Sequence, residues 1–461
     1  MFRHPMYFTA EVGISACLFS GPALPVGNGK VGSMRKRIAL AAAALTAVTG
    51  LSACSVGDDD SSSAAKGKKE ITFLVFETPN LNAQYWDAAI KRVTDKNPDI
   101  SVKKIVSPDQ DRTTYAKQLL TSGQFPDVMI AVSPAGFAEA GNLYAWSPDE
   151  LKDFMYPTNG AVNGKVYQLP ANTQTIPVVY YNKDLFAKAG ISAPPKSYAE
   201  LLGDAAKLKA QKITPFVVGG VHDALGPTFA GILATDVYAR NPNWMHDRRA
   251  GKVMFDDPDF KAAATKLADL AAKGYIDKHD VSRDYAATQQ AFLDGKGAMY
   301  AMGNWFAAAV DNPDTKPSFE VGQFEWPSND AAMVVPAFTG GGLLVSATAK
   351  NLEAAKRFAL GFQLDKNNLD NSAKADGLFP AIKGYTPPTD TGPAYQEGYQ
   401  LFSQGAAANA VVPAFGFEAG DDGMIPGMVE KFDSATVDLI TGKKSPEQVA
   451  SFLDDEWAKS S

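Results

Sequence analysis

From residue 71 onward the chain alternates short β-rich runs with helical periodicity, and that alternation limits its fold more than any other feature. Ile71-Thr72-Phe73-Leu74-Val75-Phe76 reads as a buried strand. Tyr85, Trp86, Ala89, Ile90 and Val93 then recur at helical spacing, and the helix stops at Asn97-Pro98. Residues 100–106 read as a second strand, 115–120 as a helix ended by Gly123, and 125–130 as a third strand. Strand–helix–strand crossovers join parallel neighbours, so this rhythm predicts a parallel sheet with helices on both faces. The alternation resumes with strands at 177–181, 216–218, 297–302 and 343–346, and helices at 198–208, 260–272, 285–292 and 351–362. From Gly423 the chain reads as mainly helical. No internal repeat is visible. Two α/β lobes, each with its own sheet, is the simplest account.

Ahead of this ordered part stands a different kind of segment. Met34-Arg35-Lys36-Arg37 is a basic start, residues 38–49 are apolar, and Leu51-Ser52-Ala53-Cys54 closes the run with small residues and a cysteine. This is the layout of a secretory signal, too short for a transmembrane helix. Its ending resembles a bacterial lipobox, and the resemblance implies lipidation at Cys54. Residues 55–69, with Asp58-Asp59-Asp60-Ser61-Ser62-Ser63, read as a solvated, flexible tether. Residues 1–33 fit no targeting pattern; translation is expected to start at Met34, with 1–33 a spurious extension. Cys17 falls in that extension, which leaves Cys54 as the mature chain's sole cysteine and allows no disulfide.

Residues 1–53 carry five basic side chains and one acidic, so the remaining 408 residues hold 39 basic and 50 acidic groups. An acidic exported chain is a poor partner for nucleic acid or an anionic membrane. That length exceeds one comfortable core and predicts two domains. No later apolar run is long enough to span a bilayer. Catalytic motifs are missing too. His222, His246 and His279 show no metal spacing, and there is neither a GxSxG elbow nor a phosphate loop. Paired carboxylates of a glycoside hydrolase are not readable from sequence, and an exported carbohydrate hydrolase remains the alternative. No metal, cofactor or catalytic residue is expected.

Several segments, in order, are similar to those of a known family. Ser122-Gly123 with Pro126-Asp127-Val128, Asn163-Gly164-Lys165-Val166-Tyr167, Tyr181-Asn182-Lys183-Asp184-Leu185-Phe186, Phe292 with Gly295-Lys296-Gly297-Ala298-Met299, and Gly303-Asn304-Trp305 resemble the maltose-binding-protein-like extracellular solute-binding proteins of ABC importers. The resemblance implies an α/β, two-lobed periplasmic-binding-protein fold of type II, each lobe a β-sheet flanked by helices and joined by hinge strands. It implies lobes at 70–172 with 341–378 and at 173–340 with 379–461, a monomer, and an importer permease as partner. A sugar would lie between the lobes, with its C–H face on an aromatic ring and its hydroxyls paired.

The resemblance makes Trp305 the first candidate for stacking and Asn304 a hydroxyl partner. Glu77 and Asn80 follow the first strand, where loops face the crevice of an open sheet. Gln174 lies in a segment crossing between lobes. Asp223 and Phe229 flank Gly226-Pro227, and Gly341 sits in a triple-glycine turn that would let backbone approach a ligand or serve the hinge. One departure stands out. After Pro126-Asp127-Val128 the family's charged and aromatic contacts are replaced by Ala131-Val132-Ser133-Pro134-Ala135, which puts malto-oligosaccharides in doubt. Phe415, Phe417, Glu418, Asp421 and Asp422 in a late loop could compensate.

Overall fold

The computed structural model describes residues 67–108, 111–220, 225–340, 342–418 and 420–460. The signal, the lipobox and the tether as far as residue 66 therefore lie outside the described residues, as do Asp223 and Gly341. At its other end the expected tether is too long, because Lys69 already pairs with Ile100 in the first strand. Among the described residues no helix is long and apolar enough to cross a membrane.

The opening alternation folds as its pattern dictates. Strand β1 (Lys69–Val75) leads to helix α1 (Ala83–Lys96), then β2 (Ile100–Val106), α2 (Arg112–Thr121) and β3 (Val128–Ile130). Helix α1 starts where Asn82 accepts a hydrogen bond from the Tyr85 amide, and it ends at Asn97 before the proline. β1 pairs in parallel with both β2 and β3. The period-two alternation of β1 then fills two cores. Ile71, Phe73 and Val75 pack on one side with Trp86, Val93, Phe358 and Phe362. Leu74 packs on the other with Met129, Ala116 and Leu344. Phe73 meets Phe358 edge-on at 5.3 Å. Both faces are thus covered, as a parallel sheet requires.

The rest departs from a uniform parallel pattern. Strands β4 (Ala161–Val162) and β5 (Lys165–Val166) form a small hairpin. β6 (Asn172–Thr175) and β7 (Val178–Asn182) follow, then β8 (Met299–Met302) and β9 (Val321–Glu325), and both β8 and β9 flank β7 antiparallel. β10 (Val335–Gly340) pairs antiparallel with β6 and runs into β11 (Leu343–Val345), which closes the first sheet antiparallel to β3. β12 (Phe379–Pro380) and β13 (Val411–Pro413) flank β6 and β10 in a third sheet of order β12-β6-β10-β13. That third sheet is built from the stretches through which the chain passes between the first sheet and the β8-β7-β9 sheet. The strand expected at 216–218 is not formed. Phe216 makes only isolated bridges to Ile276 and Met299, and the stretch ends at Gly219-Gly220.

Candidate functional site

A cleft with a cavity volume of about 480 Å³ opens where the first sheet, the third sheet and the late loop meet. Its floor is the third sheet, with Asn172 and Gln174 from β6 and Phe338 and Gly340 from β10. One wall comes from segments around the first sheet: Phe76, Thr78, Tyr85, Arg112 and Asp376. The other brings Tyr285, Trp305, Phe417 and Glu418.

Trp305 is the best-positioned of the expected residues. It lies half-buried on the cleft in a short turn, Asn304–Phe306, directly after β8. Its indole Nε1 donates to the Tyr285 hydroxyl at 2.9 Å, and its carbonyl accepts from Asn80 Nδ2 at 3.4 Å. Gly303 makes the pose possible, since a Cβ there would lie deep inside the indole ring's van der Waals envelope. The Tyr180 hydroxyl on β7 donates to the Gly303 carbonyl at 3.1 Å and steadies the turn.

Other candidates prove to have different work. Asn304 is buried, and its amide is spent on the chain. Oδ1 accepts from the Thr175 amide at 3.0 Å, and Nδ2 donates to the Gly377 carbonyl at 2.6 Å. It orients Trp305 from behind, with both ends of its amide already committed. Asn80 likewise holds the Trp305 backbone from outside the lining. Glu77 is exposed; its neighbours Phe76 and Thr78 face the cleft. Phe229 belongs to the core, fully buried and stacked on Phe432 at 5.3 Å, because the helix Gly226–Leu233 turns it inward. Gln174 does line the cleft, and Gly340 opposite leaves room for its amide.

The stretch from Ala131 to Ala135 is as bare as its sequence suggests, yet the cleft beside it is charged. Arg112, the first residue of α2, donates from Nε to the Ala131 carbonyl at 3.0 Å, with its guanidinium 4.1 Å from the centre of the Phe76 ring. Burial pushes its pKa down to about 10, so it keeps its charge at neutral pH. Asp376, at the end of the helix Lys366–Asp376, is buried. That burial pushes its carboxyl well above the usual range, against the pull of Arg112 and of a hydrogen bond from Asn80. The Tyr85 hydroxyl is also pushed up by burial and by Asp376. Sequence reading missed this group, although Asp111-Arg112 follows the C-terminal end of β2, where crevice loops are expected.

In the late loop, Phe417 packs against Phe338 at 5.6 Å on the cleft. Phe415 is a core ring 5.0 Å from Phe432. Asp422 pairs with His246 at 2.8 Å, and Asp421 accepts from the Gly164 amide at 3.4 Å in the β4–β5 turn. Of the late-loop carboxylates, Glu418 lines the cleft.

Comparison with known proteins agrees with this geometry. The chain is 23% identical over 349 residues to an uncharacterized ABC transporter extracellular-binding protein of Pyrococcus horikoshii, covering 71% of this chain and 73% of that protein. It is 31% identical over 172 residues to the maltodextrin-binding protein of Bacillus subtilis, covering 36% of this chain and 38% of the relative. A solved chitin oligosaccharide binding protein superposes with a TM-score of 0.72 at 23% identity, over 85% of this chain and 99% of that one. The model for bacterial extracellular solute-binding proteins matches residues 78–359, more than half the sequence. The chain belongs to that family, with the two-lobed α/β fold of type II periplasmic binding proteins that maltose- and oligosaccharide-binding members share.

Proposed function

We propose that the protein is a lipid-anchored extracytoplasmic receptor that captures a mono- or oligosaccharide and delivers it to the permease of an ABC importer. The observation that carries the sugar reading is Trp305, a half-buried indole on the cleft, hydrogen-bonded by Tyr285 and surrounded by polar groups. A pyranose has the matching chemistry, with apolar C–H faces for the ring and hydroxyls for the polar partners. The ligands of relatives and structural neighbours point the same way: maltodextrin, chitin oligosaccharide and raffinose. The hydrolase alternative gains no support from them.

In this reading residues 70–172 with 341–378 form one lobe, and 173–340 with 379–461 the other. Ligand contacts from both walls favour the closed form, which the permease recognises by hinge motion of the binding-protein kind. Moving a 1:99 population to 99:1 takes about 5.5 kcal/mol of differential binding. Cys54 carries the anchor, and residues 55–68 give the receptor reach.

Thermal-shift screening against a sugar library tests the ligand class, followed by Trp305→Ala on each hit. Stabilisation by a sugar, lost in the variant, is expected. Stabilisation by another solute and by no sugar would refute the assignment.

A further inference from the structure

We propose that Glu418 reads the ligand, its carboxylate taking a pair of hydrogen-bond donors on adjacent ligand atoms: vicinal hydroxyls of a sugar ring or the ammonium of an amino sugar. This rests on the carbohydrate reading above and adds to it which residue selects and what it selects for.

Glu418 lines the cleft, and both its Oε atoms are shut off from solvent without a hydrogen-bond partner. Buried carboxylate oxygens are costly to leave unanswered, so a native site that keeps them bare implies an absent donor. Among the described residues around it, no side chain supplies one. Asp422 is like-charged and engaged with His246. Arg249 directs its guanidinium to the carbonyls of Gly420 and Gly423. Asp421 accepts from the hairpin turn. Tyr238, packed beneath the loop, has a hydroxyl that is itself buried without a hydrogen-bond partner, so it does not reach the carboxyl. The backbone amides of Phe417 and Glu418 aim their partial charge at the carboxyl and pull its pKa down, less than burial and Asp422 push it up.

A second lining residue repeats the pattern, since Asn172 Oδ1 on the cleft floor is also buried without a partner. Among the described lining residues, the side-chain atoms left unsatisfied are all acceptors. The molecule that completes this cleft must bring donors. The carboxyl's raised pKa adds a linkage. Burial raises the carboxyl's pKa in the empty site and ligand donors lower it, so binding is linked to proton release.

Isothermal titration of the full chain with maltotriose, raffinose, cellotriose, N-acetylated chitotriose and the glucosamine trimer tests the inference, with heats compared between phosphate and Tris buffers near pH 7. At least one sugar is expected to bind with proton release, and Glu418→Gln should weaken that sugar about thirtyfold and abolish the release. The glucosamine trimer binding more tightly than cellotriose identifies the ammonium as the donor; the reverse order identifies the hydroxyl pair. The isosteric variant should melt at or above the wild type, which separates a binding defect from misfolding. Binding within about threefold of wild type in Glu418→Gln, or no buffer-dependent heat in the wild-type chain, would overturn the role of Glu418 and leave the sugar reading standing. Failure of every sugar to bind would overturn both.

Discussion

The two walls of the cleft treat buried charge in opposite ways. On the first-sheet wall, Arg112 pulls on Asp376 against the cost of its burial, and the Ala131 carbonyl, the Phe76 ring and Asn80 give the two further partners. On the late-loop wall, no side chain among the described residues answers Glu418. The first arrangement stabilises the empty protein. The second costs it stability and stores an interaction that only a ligand can complete. A wall can therefore be polar for the fold or polar for the ligand, and hydrogen-bond satisfaction tells which.

That contrast can be broken from either side. The largest effect is expected from Arg112→Ala, which strips the Ala131 carbonyl of its donor and the buried Asp376 carboxyl of the cation that pulls its raised pKa back down. A loss of about 3 kcal/mol in denaturant unfolding is expected. Adding Asp376→Asn should recover part of it, as a double-mutant cycle would show. On the opposite wall, Trp305→Ala should weaken sugar binding by about 2 kcal/mol, roughly thirtyfold by titration, with a smaller change in stability.

Gly303→Ala sharpens the point, because it touches neither ligand nor charge. A Cβ at that position drives the indole out of its pose. Weaker binding by about tenfold and a shifted tryptophan emission are expected. The smallest effect concerns Glu325 on β9, where burial alone lifts the carboxyl from 4.5 to about 7. The folded state then holds that proton more tightly than the unfolded chain. Its contribution is complete below about pH 4.5 and is lost as pH rises through 7. Glu325→Gln should flatten the fall in melting temperature between pH 5 and about 8 by a few degrees.

The same contrast explains what could be read from sequence. Strand β2 appears at the expected residues, Ile100–Val106, because Pro98 ends the helix before it and local propensity settles the matter. Trp305 was legible for a similar reason, as its glycine, asparagine and ring are contiguous. The β4–β5 hairpin carried a local signal as well. Asn163 and Gly164 both adopt positive φ, 50° and 72°, as an Asn-Gly hairpin turn requires. Its two-residue strands are too short for periodicity to register.

Arg112 and Asp376 were not legible as a pair, because they meet only once α2 and the helix Lys366–Asp376 are packed. Phe229 failed for the converse reason. Beside Gly226-Pro227 its sequence fits a ligand contact and a core ring equally well, and its helix turns it onto Phe432. The antiparallel β8-β7-β9 sheet was hidden because strand spacing predicts crossovers and does not reveal which neighbour a strand chooses.

Asn304 has a consequence beyond its bonds. Its side chain ties the β6 backbone at Thr175 to the carbonyl of Gly377, just past a helix end, while the next residue is the cleft's indole. Gly377 has φ of +59°, and a Cβ there would stand 2.6 Å from the Asn304 carbonyl, so the junction has no slack. The turn that carries the ring cannot shift without straining its bonds to both segments, nor can they slide without straining the turn. What the indole feels and how the framework bends are thus one coordinate, as in a lever whose tip and fulcrum are cut from a single piece.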